Sequence, residues 1–161
     1  AGFHICGNHG LNITNSIALE QYKNFGIDDV TLSFELTEKA IKNMTAPIKS
    51  GAYIYGHLPL MLMRACPQKN ENGCEKCNGK TELTDRKGIT FPVICHNKIY
   101  SVLHNSVPLY IGDKNLPHFS FVTLYFTKET KKECESIFNS YLQNKTIEGK
   151  KTNGLFYREL L

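Results

Sequence analysis

No stretch of this chain of 161 residues is long and apolar enough to cross a membrane. A spanning helix needs about 18 or more consecutive apolar residues, and every apolar run here is shorter. The sequence also shows no N-terminal signal peptide, internal repeat or low-complexity tract. We therefore expect a folded cytoplasmic protein with no membrane partner, in a compartment that keeps thiols reduced.

The short motifs that mark common catalytic sites are also missing. The sequence has no G-x-S-x-G turn for a serine nucleophile, no P-loop and no G-x-G-x-x-G phosphate-binding loop. Its six histidines form neither an H-E-x-x-H nor an H-x-x-E-H zinc-hydrolase motif. A standard nucleophile or phosphate cradle is therefore not indicated.

The composition is ordinary for one folded domain, with 41% hydrophobic and 21% charged residues. A net charge of +4 permits an acidic or nucleic-acid partner without indicating one. The first residue is Ala1 rather than Met, so we expect a processed product or an excised piece of a longer chain.

The apolar pattern predicts strands and helices in alternation. Strands are expected near residues 3, 29, 50 and 119, and helices begin at Asn15 or Ser16, at Thr37 and at Thr127. Alternation of this kind predicts an α/β fold of about four parallel βα units with right-handed crossovers. A complete (β/α)₈ barrel needs roughly 250 residues, so four units make half of a TIM-type barrel. A small open parallel sheet is the alternative.

The last predicted helix, near residues 128–143, carries an apolar stripe. Ile137, Phe138 and Leu142 are expected to pack against the sheet. Cys134 lies on the same stripe and is expected to be a small core residue, and Cys6 is expected to be a buried thiol at the end of the first strand.

Four of the six cysteines fall between residues 66 and 95, namely Cys66, Cys74, Cys77 and Cys95. The C-x₂-C pair lets two thiolates approach one ion from a tight turn, and the two flanking cysteines complete a four-thiolate shell. The sequence therefore predicts a metal-binding insertion over residues 64–96 that holds structural zinc or, alternatively, a [4Fe–4S] cluster. Two disulfides or free thiols remain the other interpretations. The segment has few apolar residues, so it needs a cross-link such as a bound metal to adopt one conformation.

Chemistry in a βα barrel lies at the carboxyl ends of its strands. The candidates there are Glu35, His57 and Arg64 for catalysis, and Asn8, Asn12, Asn15 and Tyr55 for substrate binding. Each has an ordinary structural alternative. The asparagines could cap turns or helices, the glutamate could precede a helix start, and the histidine could be an exposed turn residue.

Several longer segments occur in a familiar order: "GNHGLNITNSIALE", "VTLSFELT", "YIYGHLPLMLMRACP", "CEKC", "LTDRKGITFPV", "HNSVPLYI" and "GLFYREL". In this order they resemble peptidase family U32, the collagenase-like proteases, over nearly the whole chain. The resemblance implies the final strands of a TIM-type barrel. It also implies a cysteine-bound metal or iron–sulfur centre near the barrel mouth, held by the four cysteines of the insertion.

For function, the resemblance implies a peptidase that acts on a peptide or collagen-like substrate. Other members of the family take part in the hydroxylation of RNA bases or quinone precursors with iron–sulfur clusters, so an RNA-base hydroxylation factor is the alternative. A non-catalytic, metal-stapled binding module is a third interpretation. Because the first half of the barrel is absent, we expect no robust proteolysis of gelatin by this chain alone. We also expect it to pair with a second copy or with the missing N-terminal half-barrel.

Overall fold

The computed structural model describes residues 2–69, 73–75 and 77–158. The chain divides into two compact units, one formed by residues 1–56 and 109–161 and the other by residues 57–108. The predicted insertion at residues 64–96 lies within the second unit, and its positions 70–72 and 76 are outside the described residues.

Within the described residues, nine strands and three α-helices have defined bounds. The strands are β1 Cys6–Gly7, β2 Asp29–Thr31, β3 Lys49–Gly56, β4 Pro59–Met63, β5 Lys80–Thr84, β6 Thr90–His96, β7 Tyr100–His104, β8 Leu109–Tyr110 and β9 Phe121–Tyr125. The helices are α1 Ser16–Asn24, α2 Glu38–Lys42 and α3 Lys131–Leu142. None of these helices is long and apolar enough to cross a membrane.

The first unit is built on a parallel sheet. Strands β1, β2, β3 and β9 are neighbours in that order, and each adjacent pair is parallel. The short strand β8 pairs antiparallel with the end of β3. The mixed α/β class and the parallel sheet are therefore confirmed, with strands close to the four predicted positions.

The first two helices begin where the sequence predicts. The side chain of Asn15 accepts a hydrogen bond from the backbone N–H of Ala18, and Thr37 does the same for Ala40. Each oxygen satisfies an N–H group that has no partner inside the helix. Gly26 follows α1 with φ of 82°, the left-handed conformation that commonly ends a helix.

Helix α3 begins three residues later than predicted. Its N-cap is Thr130 rather than Thr127, because Thr130 and Glu133 form a reciprocal capping box. In that motif the threonine side chain accepts from the backbone of the glutamate, and the glutamate side chain accepts from the backbone of the threonine. A threonine followed three positions later by glutamate was the local signal that identifies this start.

The predicted apolar stripe of α3 included two residues that are exposed. Ile137 is buried at 9% exposure, but Phe138 is 48% exposed and Leu142 is 60% exposed. The inward face runs instead through Cys134, Ile137 and Tyr141, at i, i+3 and i+7. The expectation that Phe138 and Leu142 pack against the sheet was therefore wrong.

Two clusters of buried side chains contribute to the core of the first unit. One contains Ile13, Leu19, Val30, Leu32 and Leu36. The other contains Tyr55, Tyr110, Ile137 and Ile147. Strand β3 is buried at every position from 50 to 56, so it is the central strand of the sheet.

The second unit is a four-stranded antiparallel sheet with the order β4-β7-β6-β5. The sequence predicted only a metal-binding insertion over residues 64–96, so this sheet was not anticipated. Asp85 shapes the hairpin between β5 and β6, since its carboxylate accepts from the backbone N–H groups of Lys87 and Ile89. The hairpin between β6 and β7 turns through Asn97 and Lys98, which both have positive φ.

Candidate functional site

All four cysteines of the insertion line one cavity in the second unit. The cavity has a volume of about 910 Å³, and Cys66, Cys74, Cys77 and Cys95 all contribute to its wall. We call it the thiol cavity. None of the four takes part in a disulfide, and all carry free thiols. The fold thus brings together residues that are up to 29 positions apart in the sequence.

The backbone turns tightly just after Cys77, the second cysteine of the C-x₂-C pair. The backbone N–H of Gly79 donates to the Sγ atom of Cys77 over 3.3 Å, and Gly79 has φ of 80°. The carbonyl of Gly79 then accepts from the N–H of Cys95 over 2.7 Å, which ties the turn to strand β6. Hydrogen bonds of this kind to sulfur orient metal-bound thiolates and tune their centres.

Cationic side chains share the wall of the thiol cavity. Arg64, Lys69 and Lys98 line it together with the cysteines. Their positive charges offset the negative charge that four thiolates would bring to the site. Arg64, predicted as a catalytic residue, is therefore placed beside the predicted metal ligands, where it is exposed.

The donor set fits a thiolate-bound metal, but the four sulfur atoms are not gathered around one point. Among the described residues, three ligand atoms of His, Cys, Asp or Glu come within 4.8 Å of one another only at His4, Cys6 and Asp29, in the parallel sheet of the first unit. A tetrahedral zinc site with Zn–S bonds of about 2.3 Å separates its sulfur atoms by roughly 3.8 Å. Zinc binding at the thiol cavity would therefore require this segment to close around the ion.

The predicted histidine and tyrosine are both buried. His57 is 4% exposed, and its Nδ1 donates to the backbone carbonyl of Asn105 over 2.7 Å. The exposed-turn alternative for His57 was therefore wrong. Tyr55 is 3% exposed in the core of the first unit, and its hydroxyl donates to Glu129. Each of these two side chains therefore stabilises the unit in which it lies.

The predicted asparagines serve local backbone structure. Asn8 accepts from the N–H of Gly10 in a short 3₁₀ turn, and Asn15 caps α1. Asn12 has φ of 45°, and its Oδ1 accepts a hydrogen bond from the hydroxyl of Ser33 over 2.7 Å. That hydroxyl in turn accepts from the backbone N–H of Glu35 over 3.2 Å. Asn12 and Glu35 are thus joined through one serine at the carboxyl end of β2, and the Glu35 side chain is exposed.

A histidine that the sequence did not single out lies at the same edge of the sheet. His9 follows β1, and its ring lies 5.0–5.9 Å from the rings of Phe34, Tyr53 and Tyr125, which come from or after β2, β3 and β9. We call these four side chains the ring group. Every parallel strand of the sheet contributes one member, so the group lies where chemistry is found in parallel α/β sheets.

Burial favours the uncharged forms of His9 and Tyr53. It lowers the pKa of His9, and together with the neighbouring Tyr125 it raises the pKa of Tyr53 to about 12. The Tyr53 hydroxyl and Nδ1 of His9 are hydrogen-bonded at 2.8 Å. At neutral pH the group therefore presents the neutral imidazole of His9, the neutral phenol of Tyr53 and ring edges.

Comparison with known proteins adds no assignment. No family model, curated protein or solved structure matches this chain.

Proposed function

We propose that this chain is the C-terminal half of a TIM-type barrel of the U32, collagenase-like peptidase kind, and that residues 57–108 carry a four-thiolate metal centre. The observation that carries the proposal is that Cys66, Cys74, Cys77 and Cys95 all line one cavity. We place the protein in the cytoplasm, where reducing conditions keep such thiols available for a metal.

Strand order supports the half-barrel. In a barrel, parallel strands are neighbours in the order of the chain, whereas a doubly wound sheet reverses direction at its switch point. Strands β1, β2, β3 and β9 follow one another without reversal, with α1 between the first two and α2 between the second and third. Half of an eight-stranded barrel contributes four parallel strands, and among the described residues three of the four here are followed by a helix, while β3 leads into the antiparallel sheet.

The chemistry of the donor set limits what the metal centre would hold. Four thiolates suit tetrahedral zinc or an iron–sulfur cluster. Zinc would supply folding free energy to a polar segment, and a [4Fe–4S] cluster would supply one-electron chemistry. The chain's own contribution is to present the four sulfur atoms, to donate the Gly79 N–H to Cys77 and to set cations around the cavity.

For the substrate we favour a peptide. The ring group offers neutral hydrogen-bonding groups and aromatic edges, which suit peptide amides and apolar side chains better than a polyanion. His9 and Tyr53 can each exchange a hydrogen bond with a substrate amide without a change in charge. Glu35, exposed just beyond β2, is the carboxylate that we propose for polarising a water or an amine at this edge.

A second candidate, an RNA-base hydroxylation factor, is favoured by the cations of the thiol cavity. Arg64, Lys69 and Lys98 could contact phosphates, and Tyr100 lines the same wall. The ring of Tyr100 stacks on His96 at a centroid distance of 4.7 Å, which is the kind of surface on which bases stack. Binding of single-stranded RNA that weakens in the double variant Lys69→Ala, Lys98→Ala would favour this candidate over the peptide.

Metal analysis tests the proposed centre directly. Protein purified with and without oxygen should contain zinc or iron with sulfide, and the Cys77→Ser variant should contain one ion or one cluster per chain less than the parent. Residues 66–95 should then become sensitive to protease while the parallel sheet stays folded, because the ordering of this segment depends on the metal. The matched variant Cys134→Ser should keep the full metal content.

Two results would contradict the proposal. One is a metal content that is the same in the parent and in Cys77→Ser. The other is mass mapping that shows the four cysteines paired as two disulfides in freshly prepared protein.

A further inference from the structure

A second group of metal-binding side chains lies in the parallel sheet of the first unit, apart from the four cysteines. Nitrogen of His4, sulfur of Cys6 and a carboxylate oxygen of Asp29 all lie within 4.8 Å of one another. Nε2 of His4 is 2.5 Å from Oδ2 of Asp29. Neither the thiol cavity nor the ring group contains any of these three residues.

Pairing of the first two strands builds this group. His4 and Cys6 are two positions apart along an extended segment, so their side chains point to the same face. Cys6 is the direct partner of Asp29 in the parallel pairing of β1 and β2. Strand pairing therefore holds Cys6 and Asp29 side by side, and His4, two residues before β1, joins them through its hydrogen bond to Asp29. Cys6 is exposed here, so its expected burial was wrong.

The hydrogen bonds of the group already orient its ligand atoms. The Cys6 thiol donates a hydrogen bond to the Asp29 carboxylate. The other ring nitrogen of His4, Nδ1, lies 3.5 Å from Oδ2 of Asp28. That oxygen also accepts from the backbone N–H of Ile5 over 2.8 Å, which fixes its position. A carboxylate behind the far nitrogen is the usual support of a metal-binding histidine.

We propose that His4, Cys6 and Asp29 bind one divalent ion of the zinc type and leave its fourth position open. Imidazole nitrogen, thiolate sulfur and carboxylate oxygen are the three donors that zinc takes in proteins. At bond lengths of about 2.0–2.3 Å, a tetrahedral ion separates its ligand atoms by roughly 3.3–3.8 Å, so small side-chain movements suffice. Magnesium and calcium, which prefer oxygen ligands, do not fit this donor set.

A cavity beside Cys6 and Asp29 leaves space next to the fourth coordination position of the ion. Cys6 and Asp29 line an open cavity of about 310 Å³, whose wall also contains Asn8, Thr31 and Phe121. Three protein ligands with one open position are typical of catalytic zinc, whereas structural zinc is closed by four. The site is therefore suited to hold a water molecule or a small ligand on the ion.

Alkylation of Cys6 gives a readout that belongs to this site alone. The metal-free full chain is treated with iodoacetamide with and without zinc, and modification of Cys6 is followed by peptide mass mapping. Zinc should slow the modification of Cys6 at least about tenfold, because the bound thiolate is no longer the free nucleophile. Magnesium at the same concentration should leave the rate of Cys6 modification unchanged. Zinc should leave the rate of Cys134 modification unchanged.

Variants separate a zinc site from an ordinary ion pair. His4→Ala and Asp29→Asn should abolish the protection of Cys6 by zinc, whereas the matched surface variant His118→Ala should retain it. The side chain of His4 is 60% exposed, so His4→Ala should leave the fold intact even if Asp29→Asn does not. The Cys77→Ser variant should show the same protection of Cys6 as the parent, which keeps this result independent of the thiol cavity. Equal rates with and without zinc, or protection that survives in His4→Ala, would overturn the proposal.

Discussion

The hydrogen bond between Tyr55 and Glu129 should contribute more to stability than its neutral counterpart in the same sheet. The Tyr55 hydroxyl donates to Oε1 of Glu129 over 2.8 Å. The other carboxylate oxygen accepts from the backbone N–H groups of Thr127 and Lys128 over 2.6 and 3.0 Å. Replacing Tyr55 with Phe keeps the ring in the core and removes one donor from this carboxylate.

The expected loss follows from the charge of the acceptor. A hydrogen bond to a charged group contributes about 1.5–3 kcal/mol, and one between neutral groups about 0.5–1.5 kcal/mol. At about 2–4 °C per kcal/mol for a chain of this size, Tyr55→Phe should lower the melting temperature by roughly 3–12 °C. The matched control is Tyr53→Phe, which removes a hydroxyl bonded to the uncharged His9 ring and should cost less.

The stabilisation by Glu129 should depend on pH, and its direction follows from the pKa of this carboxyl group. Burial by itself raises the pKa of Glu129, but the backbone N–H groups and the Tyr55 hydroxyl outweigh burial, so the pKa lies below its ordinary value of 4.5. A carboxylate with a lowered pKa stabilises the fold above its unfolded pKa, and this contribution is lost as pH falls through the folded pKa. Burial and the bond to Glu129 raise the pKa of Tyr55, so the phenol stays a donor throughout.

Urea unfolding of the parent and Tyr55→Phe at pH 7 and at a series of lower pH values, with Tyr53→Phe at pH 7, measures these differences. The gap between the parent and Tyr55→Phe should be large at pH 7 and should shrink toward the neutral value in acid. The comparison with Tyr53→Phe is made at pH 7, where the lowered pKa of His9 leaves its ring uncharged, because acid would protonate that ring and change the hydrogen bond. Equal losses for the two variants at pH 7, or a Tyr55→Phe loss that is unchanged in acid, would refute the argument from the charged acceptor.

Two further predictions concern packing in the first unit. Ile137→Ala should lower the free energy of unfolding by about 2–5 kcal/mol because the side chain is buried. Leu142→Ala, on the exposed face of α3, should change it by less than about 0.5 kcal/mol. Similar losses for the two variants in urea titrations would show that the buried face of α3 is assigned wrongly. Gly51→Ala should destabilise the unit by about 1–3 kcal/mol, since its Cβ would lie 2.6 Å from the backbone oxygen of Phe121 on the paired strand; an unchanged melting temperature in calorimetry would contradict this close approach.

Local signals made the parallel sheet predictable from the sequence. Asn15 and Thr37 are helix caps whose partners lie three residues away, so the starts of α1 and α2 could be read directly. The strands between them are rich in β-branched and aromatic residues, and alternation of the two element types indicates parallel pairing.

Helix periodicity left one question open for α3. It shows which residues share a face, but the part of that face that packs depends on elements distant in the chain. Phe138 and Leu142 satisfied the pattern and are exposed nevertheless.

The antiparallel sheet and the ring group lacked such local signals. Strands β4 and β5 are largely exposed or half-buried, and their pairing partners are set by contacts along the whole of residues 57–108. His9 lies in a loop, and its hydrogen-bond partner Tyr53 is 44 residues away. The four cysteines were found because their spacing is compact, whereas Cys6 and Asp29 come together only through strand pairing, and His4 joins them from the segment before β1.

The way the chain leaves and re-enters the parallel sheet has an evolutionary consequence. Gly56, the last residue before the second unit, is the direct antiparallel partner of Leu109, the first residue after it. The 52 residues between them therefore occupy the place of a hairpin loop, which is the kind of position where insertions and deletions are tolerated. Lengthening or shortening such a loop adds little closure entropy, because that cost grows only with the logarithm of its length. Residues 57–108 could thus be gained, exchanged or lost as one cassette during descent, while selection on the parallel sheet continued undisturbed.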